Sequence, residues 1–425
     1  MKKFMCTPLF FTTLIASQFE VAPIGDLQLR YNTKSLEYTS LGEAVLGTNK
    51  VDFNDYVFGG EIGVNTKYEN YNLNIGYHTI QRVHNKDENH LKNEKTWYDE
   101  NLNEVNYLGT FNLTYTNQNT LFTFGRQEYS GKLVDGNQRI TQNSFEGMRV
   151  EYKQDDTKID GFYFNKIASS TIANTVPKNH RYGFLGYGLG YSVGEYSNIS
   201  EHILNKDKST NGAFNLIFQK GQDSQNIMIE NLFVDNFFNT TNVIGTYTLA
   251  PFQGKLGAIY QTSVGKDYVE QKYNQNLESR LVQGEIKYTD GKFFIVYRAS
   301  QTASNRDNVY DGTLFSPFSN KPAWVIGLQT AHGFLADTLA QELLVVNTFY
   351  IDKLPITLAG AYLQYAVGED NGLENSSFDV SEKFLRAKFY LSKKFTSTFE
   401  YSVAKNIDIV TASSKNGRVV LEYTF

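Results

Sequence analysis

The chain has 425 residues, a net charge of −5 and a mean hydropathy of −0.40, with aromatic residues at 15%, 33 glycines and only 7 prolines and 2 tryptophans. A mildly acidic chain carries no electrostatic footprint for nucleic acid, and with no apolar run of eighteen residues after its first segment it cannot be a helical membrane protein. Enrichment in Tyr, Phe and Gly with weak helix formers points to β-structure throughout.

Lys2 and Lys3 form a positive start, Phe4 to Ala16 is mostly apolar, and Ala16 and Ser17 end the run before Glu20. This order predicts a secretory signal peptide over residues 1–19, cleaved near Ser17 to Phe19, and a single domain over residues 20–425. Its removal takes away two positive charges and the only cysteine, Cys6. A chain without thiols fits neither a typical cytosolic protein nor a disulfide scaffold.

From here the chain repeats one unit: about ten residues alternating apolar with polar, then a turn. Leu27, Leu29 and Tyr31 alternate with Gln28, Arg30 and Asn32. Phe58, Gly60, Ile62, Val64 and Tyr68 oppose Glu61, Asn65 and Lys67, and Tyr71, Leu73, Ile75 and Tyr77 oppose Asn72, Asn74 and His78. A loop with two imidazoles and two carboxylates, His84 to His90, has no zinc or EF-hand spacing and reads as a hydrated surface loop. Val105, Tyr107, Phe111, Leu113 and Tyr115 are then assigned to one apolar face.

Phe124 to Tyr152 carries Gly125-Arg126-Gln127 at a strand end, Leu133, Asn137 and Arg139 in a loop, and Ser144-Phe145-Glu146-Gly147 opening the next strand. The glycine-rich stretch Tyr182 to Tyr191 suits a loop tucked into a pore or a flexible surface loop. It runs into Gly190-Tyr191-Ser192-Val193-Gly194, a formal G-x-S-x-G match without the buried strand and following helix that a nucleophile elbow requires. Val282, Gly284, Ile286 and Tyr288 resume the alternation, turning at Asp290-Gly291 into Phe293, Ile295 and Tyr297. Phe334, Leu335, Thr338, Leu339 and Leu343 break it and suggest a helical turn before a strand from Leu344 to Tyr350. Leu385, Ala387, Phe389 and Leu391 oppose Arg386 and Lys388. Val419, Leu421, Tyr423 and Phe425 close the chain as an amphipathic strand ending on an aromatic residue, similar to the signal read by barrel assembly machinery.

Bulky charges on every wet face, tyrosines near strand ends, and short turns alternating with long polar segments (His84 to Glu104, His202 to Asn211, Gly368 to Phe378) favour a transmembrane antiparallel β-barrel over a soluble sandwich. Roughly 405 residues at about 20 to 25 per strand and connection predict 16 to 20 strands, with 18 preferred.

The Gly125-Arg126-Gln127 and Ser144-Phe145-Glu146-Gly147 segments resemble the pattern of OprD-type outer-membrane porins. Two departures stand out: the loop's usual Pro-Leu is Lys132-Leu133, and the Leu-Leu-Pro after the arginine is Ile140-Thr141-Gln142. The opening Gly25 to Tyr31 and closing Tyr423-Thr424-Phe425 resemble major outer-membrane porins of the epsilonproteobacterial branch. The resemblance implies loops folded into the lumen and a constriction where arginines face acidic groups. By motif it places Arg126 and Arg139 there; alternation adds Arg149, Arg298, Arg386 and Lys388, with Glu146 and Glu151 as acidic candidates.

The expected function is a passive outer-membrane channel for small hydrophilic solutes and ions, amino acids or carboxylates among them, with no catalysis, cofactor or metal. Its expected partners are membrane lipid and lipopolysaccharide, the passing solutes, the assembly machinery through Phe425, and either no second copy or two more in a homotrimer. A surface adhesin and an outer-membrane esterase built on Ser192 are the alternatives.

Overall fold

The computed structural model describes residues 19–85, 104–136, 140–169, 194–204, 206–222, 224–273, 277–304, 312–319, 321–371, 376–407 and 411–425. Glu20–Ile24 (β1) and Asp26–Tyr38 (β2) run in one register along Lys50–Tyr68 (β3), broken only at Gly25. Then follow Tyr71–Asn85 (β4), Val105–Asn117 (β5), Thr120–Gln127 (β6), Ser144–Gln154 (β7), Thr157–Ala168 (β8) and the two-residue Ser197–Asn198 (β9). The second half contributes Ala213–Gln222 (β10), Gln225–Val234 (β11), Phe238–Leu249 (β12), Phe252–Ser263 (β13), Ser279–Asp290 (β14) and Phe293–Thr302 (β15). It ends with Thr338–Ile351 (β16), Leu354–Val367 (β17), Phe378–Tyr390 (β18), Phe395–Lys405 (β19) and Thr411–Thr424 (β20).

Each strand pairs antiparallel with the next, β8 pairs with β10, and β20 returns to β2 from Asp26↔Thr424 upward. Without the short β1 and β9, this is a closed antiparallel barrel of eighteen strands, the count expected from the sequence. Closure pairs every edge, which is the condition for strands to cross a membrane. One end carries tight turns, including Asp290-Gly291 and Ser392 to Lys394, and the other carries most of the longer connections.

Alternation sorts the wall as expected. Leu29, Ile62, Leu73, Phe124, Leu256, Val282, Ile286 and Leu385 are exposed on the outside, while Arg30, Asn112, Asp160, Glu230, Asn242 and Glu382 are buried on the inside. Two assignments need correction. Val105 and Tyr107 do not share the face of Phe111 and Leu113: a bulge at Gly109 shifts the β4–β5 register between Gly76 and Tyr77, so they turn inward. The helical turn is only the 3-10 segment His332–Phe334, and β16 starts at Thr338 rather than Leu344. Three short helices lie among the described connections: Ser40–Leu46 (α1), Ile199–Leu204 (α2) and Tyr268–Tyr273 (α3).

The buried apolar residues sit where connections fold back inside. Phe145, Phe162 and Phe164 of β7 and β8 pack with Tyr129 and Phe318 from two different loops, and with Ile199 and Ile203 of α2. The upper barrel is thus filled by its own loops.

Candidate functional site

Two connections enter the lumen, and each is fastened by the same device. β6 has only eight residues, so the chain leaves the wall early, at Glu128. Glu230 of β11, fully buried, accepts the backbone N–H of Lys132 (2.9 Å) and Leu133 (3.1 Å) and a hydrogen bond from Asn215 Nδ2 (3.0 Å). Gly131 stands beside this carboxylate, where a Cβ would come within 2.4 Å of Oε1.

The longer connection, residues 303–337, repeats the arrangement on the opposite wall. Glu382 of β18, also fully buried, accepts the N–H of Leu328 (2.9 Å), Gln329 (3.2 Å) and Thr330 (3.1 Å). Here Gly327 leaves the room, since a Cβ would lie 2.0 Å from Oε2. Two glutamines extend the fastening: Gln261 exchanges hydrogen bonds with Phe315 N–H and C=O, and Gln283 with Trp324 N–H and Pro322 C=O. Backbone groups that a buried loop would leave unpaired are satisfied by wall side chains.

The loops meet in the lumen. Asp135 N–H donates to Phe318 C=O (3.0 Å), and Lys321 Nζ lies 2.8 Å from Asp135 Oδ1. Lys132, at the tip of the first loop, is close enough to Lys321 and to Lys255 of β13 that both repel its charge; burial and this repulsion hold its ammonium below the usual lysine range. Glu128, at the root of the same loop, borders open lumen. Burial of its carboxyl against the wall, with the charges of Glu61, Asp26 and Asp135, pushes it up to about 8. One loop therefore carries a carboxyl at its root and an ammonium at its tip.

The residues expected at a constriction fall into separate groups. Arg149 is clamped by Asp160 (2.6 Å) and Glu151 (2.5 Å), with Lys158 2.9 Å from Glu151 and the Tyr129 ring 5.2 Å from the guanidinium. Arg298 bridges Glu285 (2.6 Å) and Glu342 (2.7 Å), and Lys255 also reaches Glu285 (2.7 Å). Arg386 and Arg418 share Glu400 at 2.6 and 2.8 Å, and Lys388 is 3.9 Å from Glu422. These pairs run side by side along the wall between neighbouring strands, so acid and base do not divide cleanly into facing sides.

Arg126 and Glu146 require a correction. They pair at 3.0 Å, and Lys166 joins at 3.3 Å, but register puts Arg126 opposite Phe111 and in step with the exposed Phe122 and Phe124. Glu146 is likewise in step with the exposed Met148. By parity this pair belongs to the outward side at the strand ends, where Tyr196 stacks on the guanidinium at 4.1 Å. The motif fixes a position in the chain but not the face of the strand. Arg139, Ser192, the glycine-rich stretch Tyr182 to Tyr191 and residues 1–18 lie outside the described residues.

Sequence reasoning did not single out Glu128, Lys132, Lys255 or Lys321. One signal for Lys132 was visible: it replaces the proline usual at that point of the loop.

No model of a known protein family matches the chain, and no curated protein sequence does. Solved structures do match in fold. OccK8 (OprE) of Pseudomonas aeruginosa superposes with a TM-score of 0.68 over 95% of this chain and 98% of its own, at 12% identity. OpdK of Pseudomonas aeruginosa, solved with vanillate, gives 0.69 at 9% identity, and OccK2 (OpdF) of the same organism, in complex with glucuronate, gives 0.65 at 9%, each over 95% of this chain and 98% of theirs. The chain therefore has the eighteen-stranded fold seen in porins of the OprD/Occ type.

Proposed function

We propose that the chain is an outer-membrane porin, a passive channel whose throat is the junction of residues 128–136 with residues 312–319 and 321–337. The observation that carries this reading is the double fastening of the loops by Glu230 and Glu382, which holds them inside a barrel whose outer wall is apolar and whose inner wall is charged. A lumen filled only to block it would need no charge at the loop junction, yet Lys132, Lys255 and Lys321 converge there.

The sign of that charge narrows the solute. Lys132, Lys255 and Lys321 gather at the junction, and Arg386 and Arg418 stand on β18 and β20. Lys321 is matched by Asp135 and Lys255 by Glu285, while Lys132 sits at the inward loop tip, where a cation in a low-dielectric wall attracts small anions and orients carboxylates. The carboxylate ligands of OpdK and OccK2 fit this reading. Export through the signal peptide, insertion in the outer membrane, closeness to the epsilonproteobacterial porins and the absence of catalysis belong to the same proposal.

Liposome swelling tests it. Vesicles containing the purified barrel should swell faster in an isotonic salt of a small carboxylate than in an uncharged sugar of equal size. Equal rates to protein-free vesicles for both solutes would reject the channel.

A further inference from the structure

We propose that Glu61, His78 and Glu128 form a binding site on the lumen wall for a divalent transition-metal cation of the zinc type. One donor atom from each lies within 4.8 Å of the other two. The site goes beyond the channel reading and does not depend on conduction.

The imidazole carries the argument. His78 is fully buried and its Nε2 has no hydrogen-bond partner among the described residues. Its tautomer follows from its neighbours. Tyr107 Oη donates its proton to Gln142 C=O at 2.9 Å, so toward His78 Nδ1, 3.2 Å away, it can only accept. Nδ1 therefore holds the proton, and neutral His78 presents a bare lone pair at Nε2. Nε2 lies 3.4 Å from Glu61 Oε1.

Two electron-rich atoms facing one another across a buried gap repel unless a positive charge lies between them. The separation suits a metal: donors around a tetrahedral zinc at about 2.0–2.1 Å are spaced by about 3.3 Å. Thr110 Oγ1 donates to Glu61 Oε1 at 2.8 Å and steers the carboxylate, while the His78–Tyr107–Gln142 chain fixes the ring from its far side, the usual outer support of a ligating histidine.

The backbone is cleared for these groups. A Cβ on Gly109 would lie 2.4 Å from the His78 ring, and one on Gly76 would lie 1.8 Å from Glu61 Oε1. Glu128 supplies the third donor from the lumen side, next to open space. One nitrogen and two carboxylate oxygens select a borderline cation over magnesium, and the fourth position opens to water or to a passing solute.

The rival arrangement is a plain imidazolium–carboxylate pair between His78 and Glu61, with no metal. Zinc binding to the tag-free, chelator-washed barrel in detergent separates the two. The site predicts one saturable zinc per chain that a large excess of magnesium does not displace. Glu128→Gln, a change at a lumen-exposed side chain, should weaken it at least about tenfold, as should Tyr107→Phe through loss of ring support. Folding of each variant is checked by its heat-modifiable electrophoretic mobility. No saturable zinc above background, or the same affinity in folded Glu128→Gln as in the parent, would overturn the proposal whatever the conductance shows.

Discussion

Lys321 Nζ and Asp135 Oδ1, 2.8 Å apart although 186 residues separate them in sequence, join the two inward loops. Asp135 is almost fully buried and Lys321 only partly so, which makes the contact asymmetric. Removing the ammonium leaves a buried carboxylate without its counter-ion; breaking such pairs costs about 3–5 kcal/mol when both partners are buried, and less here because water reaches Lys321. Lys321→Ala should therefore loosen the junction without unfolding the barrel. Current recordings should show a larger and noisier open level, and an unchanged quiet level would count against the junction as the throat.

The two glutamate fastenings make a second prediction. Glu382→Ala strands the N–H groups of Leu328, Gln329 and Thr330, each worth about 1–3 kcal/mol when left buried and unpaired. The loop should escape into water rather than bear that cost. Limited proteolysis should then cut within residues 321–337 of the variant while the strands resist. Gly327→Ala should produce the same cleavage by a different route, because its methyl group collides with the carboxylate. Resistance of both variants equal to the parent would contradict the fastening.

Much of this architecture was legible in the sequence, and the limits have physical causes. Alternation located the wet face, so Arg149, Arg298, Arg386 and Lys388 were found inside. It could not show that each sits beside a carboxylate of the next strand, because pairing between strands depends on register. Tyr107 was placed on the wrong face because one extra residue at Gly109 reverses the parity of everything before it. The strand end at Gln127 was legible, but Glu128 and Lys132 were missed because nothing in their local spacing shows that they lie beside Glu61 and Lys255, which are distant in sequence. Nothing in the local sequence marks Glu230 and Glu382 as fastenings, since their partners are backbone amides roughly 50 to 100 residues away.

His202 supplies a pH dependence. It is buried on α2, with Nε2 3.5 Å from Pro317 C=O and its ring stacked 5.9 Å from Phe318 of the 303–337 connection. Burial pushes its pKa down to about 4, against an ordinary value of 6.5. The undocked histidine thus binds a proton more readily than the docked one. Stability of the α2 contact is full above pH 6.5 and declines as pH falls toward 4, by about 2 kcal/mol at pH 5. Amide hydrogen exchange in α2 should accelerate between pH 6.5 and 4.5 after correction for intrinsic rates, and His202→Phe should remove the excess. Corrected rates that do not change with pH would refute the effect.

The reversal potential of single channels under a salt gradient tests the central claim, that the charge of the inward loop tip governs passage. The parent protein should show discrete steps with a preference for anions. Lys132→Glu, a substitution at a partly exposed loop position, should reverse that preference while the barrel stays folded. Steps whose reversal potential is identical in parent and variant would place the selecting charge elsewhere, and a folded barrel with no steps at all would contradict the channel itself.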